Sequence, residues 1–171
     1  MAVALLLAAC SSPSHGPGPQ VGGPLQSSEV SYRLCLPAAA SHKATIGLDV
    51  LRNDSGRVVT VRGVALRRPK GLRLERALLV PFQNGATLVG NISGFPPPGI
   101  DKRPEWHQRT EARNAEIPSS AQIWNLVLEV GVPDGRGTAD GVDVVYRSGD
   151  TTYLWKNSTA FDVRAAPHTC F

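Results

Sequence analysis

The chain has 171 residues, a formal net charge of +4, 19% charged and 6% aromatic residues, with 17 glycines and 14 prolines. A single domain of this length can build its own core, so no metal or cofactor is needed to hold it together. The Gly and Pro content argues against long helices and for many short strands and turns, and the small charge excess excludes a dedicated nucleic-acid binder.

The chain opens MAVALLLAACSSPSHGPGPQ. Ala2 to Ala9 is an apolar run of eight residues, whereas a membrane-spanning helix needs about twenty, so the run predicts the apolar part of an export signal. The tetrapeptide Leu7-Ala8-Ala9-Cys10 resembles the bacterial lipobox, in which small residues precede a cysteine that takes a diacylglyceryl thioether and becomes the mature N-terminus. The resemblance implies a signal peptide over residues 1–9, lipidation of Cys10, and an extracytoplasmic protein anchored to the cell membrane. No Lys or Arg precedes the apolar run, an absence that fits a start codon upstream of Met1.

From residue 10 to 30 the chain is rich in Ser, Pro and Gly and has little to bury, which predicts a disordered tether, with the folded domain over 31–171. Of the three cysteines, acylation of Cys10 leaves Cys35 and Cys170 as an even pair in an oxidising compartment. They are expected to form a disulfide joining the first strand to the C-terminus, the alternative being two separate buried thiols.

Alternating apolar and polar residues predict strands over 31–36, 44–51, 57–66, 72–82, 122–132, 142–147, 151–156 and 159–164. Ala44, Ile46, Leu48 and Val50 are expected on one face, as are Trp124, Leu126, Leu128 and Val130. Asn53 to Gly56 and Ser148 to Asp150 read as turns, and PDGRGTADG (133–141) as a longer one. Seven or eight short strands at this spacing predict an all-β, two-sheet antiparallel sandwich. Residues 96–120 break the pattern and read as a long sheet-crossing loop in which Trp106 is the large apolar anchor. Long loops on rigid sandwiches often carry function, which makes this one a place to look for a partner site.

The run AEIPSSAQIWNLVLEVGVPDGRGTADGVDVVYRSGDTTYLWKNSTAFDV resembles the C-terminal half of small uncharacterised secreted or lipid-anchored proteins of high-GC bacteria. The resemblance implies an Ig-like sandwich and export, and brings no activity with it.

Candidate chemistry is sparse. His15, His42, His107 and His168 are scattered, with none at metal-ligand spacing, and Asp134, Asp140 and Asp143 sit among glycines as turn residues do. No Gly-x-Ser-x-Gly elbow is present, so no catalytic residues, metal or cofactor are expected. The sequons at Asn53, Asn91 and Asn157 are expected to be incidental. Arg67, Arg68, Lys70, Arg73 and Arg76 form a basic run suited to an anionic surface, and without an interleaved aromatic it offers no base stacking for nucleic acid. The expected function is a lipid-anchored binding or structural module of the cell envelope, not an enzyme, with the membrane and an envelope protein or anionic polymer as partners. The alternative is an envelope metal carrier or hydrolase with a site assembled from distant residues around the 96–120 loop.

Overall fold

A computed structural model describes residues 18–26, 32–82, 87–168 and 170. The expected signal segment, the lipidation site Cys10 and the tether up to residue 17 lie outside the described residues, as do residues 27–31. In chain order the strands are β1 (Gln20–Val21), β2 (Leu25–Gln26), β3 (Arg33–Pro37), β4 (Lys43–Asn53), β5 (Val59–Leu66), β6 (Arg73–Phe82) and β7 (Ile92–Ser93). A single helical turn, α1 (Pro104–His107), precedes β8 (Thr110–Glu111), β9 (Glu116–Ile117), β10 (Ile123–Gly131), β11 (Arg136–Ala139), β12 (Val142–Ser148), β13 (Thr151–Lys156) and β14 (Ala160–Arg164). The eight predicted long strands are all present, each shifted by no more than a residue or two at its ends.

The result is an all-β sandwich. One sheet has the order β1-β13-β12-β5-β9 and the other β2-β4-β10-β6-β8, with β7 also on β4. A third sheet, β11-β14-β3, adds Phe161, Val163 and Leu36 to the same core. The two larger sheets meet through alternate side chains: Val59, Val61, Val142, Val144, Tyr146 and Trp155 from the first, Ala44, Ile46, Leu79, Leu126, Leu128 and Val130 from the second. Each of these strands is apolar at every other position because one face is turned to the core.

Strand β10 departs from simple alternation, being buried from Asn125 through Gly131, because its sheet is covered on both faces. Its outer face carries Val127 beside Leu78 and Val80, and the chain from Val89 to Trp106 lies over them with Val89, Ile100 and Trp106 buried. Trp106 meets Phe95 edge-on at 6.1 Å between ring centroids, and the Arg109 guanidinium stands 4.8 Å over its ring. The first part of the 96–120 loop is therefore a cover for the second sheet. Its remainder crosses between sheets, β8 pairing with β6 and β9 with β5.

Two local expectations are corrected. A β-bulge on β4 opposite Leu126 and Leu128 shifts the register between Ile46 and Asp49, so Leu51 is fully buried in place of Val50. Residues 136–139, read as part of a turn, form β11 because Arg136 to Ala139 pair with Ala139's partner Phe161 back to Arg164 on β14.

A larger correction concerns the tether, expected to be disordered from 10 to 30. Residues 20–26 are a strap on the sandwich: β1 pairs in parallel with Tyr153 and Leu154 of β13, and β2 pairs with Arg52 and Asn53 of β4. Leu25 is buried in the core, and the Tyr146 hydroxyl donates to the Gly22 carbonyl (2.8 Å) and accepts from the Leu25 N–H (3.3 Å). Gly23 adopts φ +99°, and a Cβ there would stand 2.4 Å from the Tyr146 oxygen, so only glycine lets the chain pass. The strap joins the edge of one sheet to the edge of the other.

Cys35 on β3 is bonded to Cys170, with 5.6 Å between Cα atoms and a sequence separation of 135. The parallel pairing of β3 with β14 delivers both cysteines to the same place. Closing a loop of that length contributes about 5 kcal/mol by the chain-entropy relation, less any native strain.

Candidate functional site

The five residues of the basic run do not form one free patch. Arg67 is pinned: its guanidinium pairs with Asp143 at 3.1 Å and donates to the carbonyls of Asp140 (2.9 Å) and Asn157. Arg68 pairs with Asp140 at 2.7 Å, and Arg76 with Glu111. Lys70 and Arg73 are exposed and have no ion pair among the described residues. The acids that were read as turn residues thus serve as partners for Arg67 and Arg68.

Beside this run lies a groove of about 270 Å³ between β5 and β6. Its position follows from the sheet order. The segment 110–117 occupies the outer edge of β6 at Leu78–Leu79 and of β5 at Val59–Thr60, and then stops. Beyond it, from residue 62 on β5 and up to residue 76 on β6, the two strands face each other with no further strand paired to either among the described residues. Val64, Leu74 and Ala77 line the groove and pack against the main core, giving it an apolar floor.

Its rim is charged. Arg62, Arg76 and Arg113 stand along it with Glu75 and Glu111. Glu111 is taken by Arg76, and this pairing holds the Arg76 guanidinium above its ordinary value. Glu75 turns aside, its carboxylate oxygen within 2.9 Å of where a Cβ on Gly131 would lie. Arg62 and Arg113 are exposed and have no ion pair among the described residues, so the groove carries uncompensated positive charge. Both open edges also carry bulges, at Arg62 opposite Val145 and Tyr146, and at Glu75 opposite Glu129 and Val130.

Neither Arg62 nor Arg113 stands out in the sequence. Gly63 in the middle of a strand pattern was the one available signal, since an isolated strand glycine marks a bulge or a close backbone approach. Arg113 comes from the far end of the covering loop, and only the crossing of 110–117 brings it to β5.

The remaining candidates are placed elsewhere. His107 hydrogen-bonds the Asp101 carbonyl at 2.8 Å and His42 the Pro133 carbonyl at 3.4 Å. Among the described residues no group of three or more His, Cys, Asp or Glu could hold a metal ion. The sequon asparagines have structural partners: Asn53 donates to the carbonyls of Arg57 and Ile117 (both 2.7 Å), Asn91 accepts from the Gly47 N–H (3.2 Å), and Asn157 is buried against Asp49. On the outer face of the second sheet Lys43 pairs with buried Glu129 at 2.5 Å, which raises the Lys43 ammonium above its usual value. A second hollow of about 220 Å³ beside the strap is lined by Leu25, Trp155 and Lys156 among others. Lys156 is the one cation in its lining. No helix of the described residues is long and apolar enough to cross a membrane.

No family model matches the chain, and no curated protein does. Among solved structures it is similar to the VesB protease of Vibrio cholerae, with a TM-score of 0.39 and 8% identity over 83% of this chain and 32% of that one. The chain thus spans about a third of the length of that protein, and a likeness at this level bears on neither activity nor partner.

Proposed function

We propose that the protein is a lipid-anchored binding module of the cell envelope, held at the membrane through Cys10, whose sandwich engages an anionic partner without catalysing a reaction. The observation that carries the binding reading is the groove between β5 and β6, where apolar floor residues and two unpaired arginines, Arg62 and Arg113, meet at two open strand edges. The anchor reading is supported by Leu7-Ala8-Ala9-Cys10, and export by the Cys35–Cys170 bond, since disulfides persist in oxidising compartments. We read the sandwich as Ig-like, supported by the chain's repeated crossing from one large sheet to the other, from β4 to β5 and back to β6.

Fractionation of cells producing the native protein and Cys10→Ala tests the anchor. The native protein is expected in the membrane fraction after a salt and carbonate wash and the variant in the soluble fraction. Retention of Cys10→Ala in the washed membrane overturns the reading.

A further inference from the structure

We propose that the groove takes an extended acidic peptide as an added strand on the open edge of β5, its backbone bonding to Val64 and its carboxylates meeting Arg62 and Arg113. The inference deepens the binding-module reading by naming the partner's chemistry, and it rests on that reading.

The backbone supplies the first argument. Val61 already spends its edge-facing groups on the crossing segment: its N–H donates to the Ala115 carbonyl (2.9 Å) and its carbonyl accepts from the Asn114 N–H (2.8 Å). In an antiparallel pair such groups point alternately toward and away from the neighbouring strand. Arg62 is the extra residue of the bulge against β12, so the alternation slips by one, and Val64, opposite Val144, is the next residue to turn both groups to the open side. Sheet edges with unpaired N–H and C=O groups are templates for a further strand. No atom lies within 4 Å of where a Cβ on Gly63 would stand, so the outer face of β5 is uncovered beside this edge.

Charge selects the occupant. Arg62 and Arg113 flank the edge without acid partners among the described residues, and Glu111 is committed to Arg76. A strand carrying carboxylates at alternate positions places them on one side of its backbone, where the guanidiniums can bind them as forks. A second copy of this chain fits worse. Two β5 edges brought together would set the basic rims against each other, which is how bulged and charged edges prevent self-pairing. The apolar floor of Val64, Leu74 and Ala77 suits β-branched side chains at the intervening positions.

The probe is a fluorescein-labelled peptide alternating Val and Glu, titrated against the full chain by fluorescence anisotropy. Controls are the same peptide with Lys for Glu, and the acidic peptide N-methylated at alternate backbone amides in each of the two registers. The acidic peptide is expected to bind saturably, the Lys peptide not to bind, and one N-methylated register to lose binding. Arg62→Gln with Arg113→Gln is expected to weaken binding on the order of tenfold or more, as loss of charged hydrogen bonds does. Val64→Pro removes the edge N–H while sparing the ladder to β12, and should abolish binding with the melting transition retained. If both N-methylated registers bind as well as the parent, charge alone makes the contact, as with an anionic polymer, and strand addition is overturned. Equal binding of the Lys peptide, or no loss in the double Arg variant, overturns the proposal too. The N-methyl arm does not touch the protein, so it decides the matter even where a variant misfolds. Failure here leaves the Cys10 fractionation result standing, and the reverse.

Discussion

Asn157 donates from its side-chain amide to both carboxylate oxygens of Asp49, at 2.7 and 2.6 Å. Asp49 lies on β4 just after its bulge, and Asn157 just after β13, so this contact ties the two large sheets together at a polar point. Burial pushes the Asp49 carboxyl above its usual range, and the hydrogen bonds from Asn157 pull it part of the way back.

A raised carboxyl value has a definite sign. The folded state favours the neutral acid, so ionisation costs stability. That cost is absent below the unfolded-state value of about 3.9 and complete above the raised folded one. Asp49→Asn removes the titration and keeps an acceptor for Asn157. The variant should therefore gain stability relative to the native protein as pH rises from below the unfolded-state value of about 3.9 through the range in which the buried carboxyl ionises, as read from urea unfolding at a series of pH values. A difference that does not change with pH would mean the ionised carboxylate is as well accommodated in the fold as in the unfolded chain.

Trp106 is 4% exposed and roofs Leu78, Val80 and Val127 on the outer face of the second sheet. Trp106→Ala should cost about 3–5 kcal/mol, the range for emptying a large aromatic site. Arg109→Ala, which removes the cation over the ring, should cost about 0.5–2 kcal/mol. Denaturant unfolding gives both values. A small loss for Trp106→Ala would show that the 87–109 segment sits on the sheet without contributing to its stability.

Tyr146→Phe leaves the Gly22 carbonyl and the Leu25 N–H without the hydroxyl that serves both. The expected loss is about 1–3 kcal/mol, as for buried groups left unpaired. The effect should be local as well as global. Hydrogen exchange at the Leu25 amide should quicken more than exchange at β10 amides. Unchanged protection of Leu25 would assign the strap's hold to its strand pairing alone.

The long strands were legible because a half-buried strand writes its burial as alternation, and eight segments did so. The two-residue strands at the sheet edges were not, since two residues carry no period. Leu25 is the only buried residue in the described part of the strap, and nothing local announces that it has Tyr146 for a partner more than a hundred residues on. The bulge on β4 erased its own signal: Ala44, Ile46, Leu48 and Val50 read as one face until an extra residue turns Leu51 inward. The basic run was visible as a run, but its acids lie far along the chain, so the pairing of Arg67, Arg68 and Arg76 with Asp143, Asp140 and Glu111 was not. Arg62 and Arg113 belong together only through topology.

The strap also decides which way the sandwich hangs. It grips β13 and β4, at the end of both sheet orders opposite to β5 and β6. Residues 11 to 19 are all that separate Cys10 from β1. Even a fully stretched chain spans at most about 3.6 Å per residue, a leash of about 35 Å. A lipid on Cys10, as proposed, would attach to the domain at the strap flank, the one opposite to β5 and β6. Such an attachment would leave the flank that carries Arg62 and Arg113 free for a partner approaching from the aqueous space.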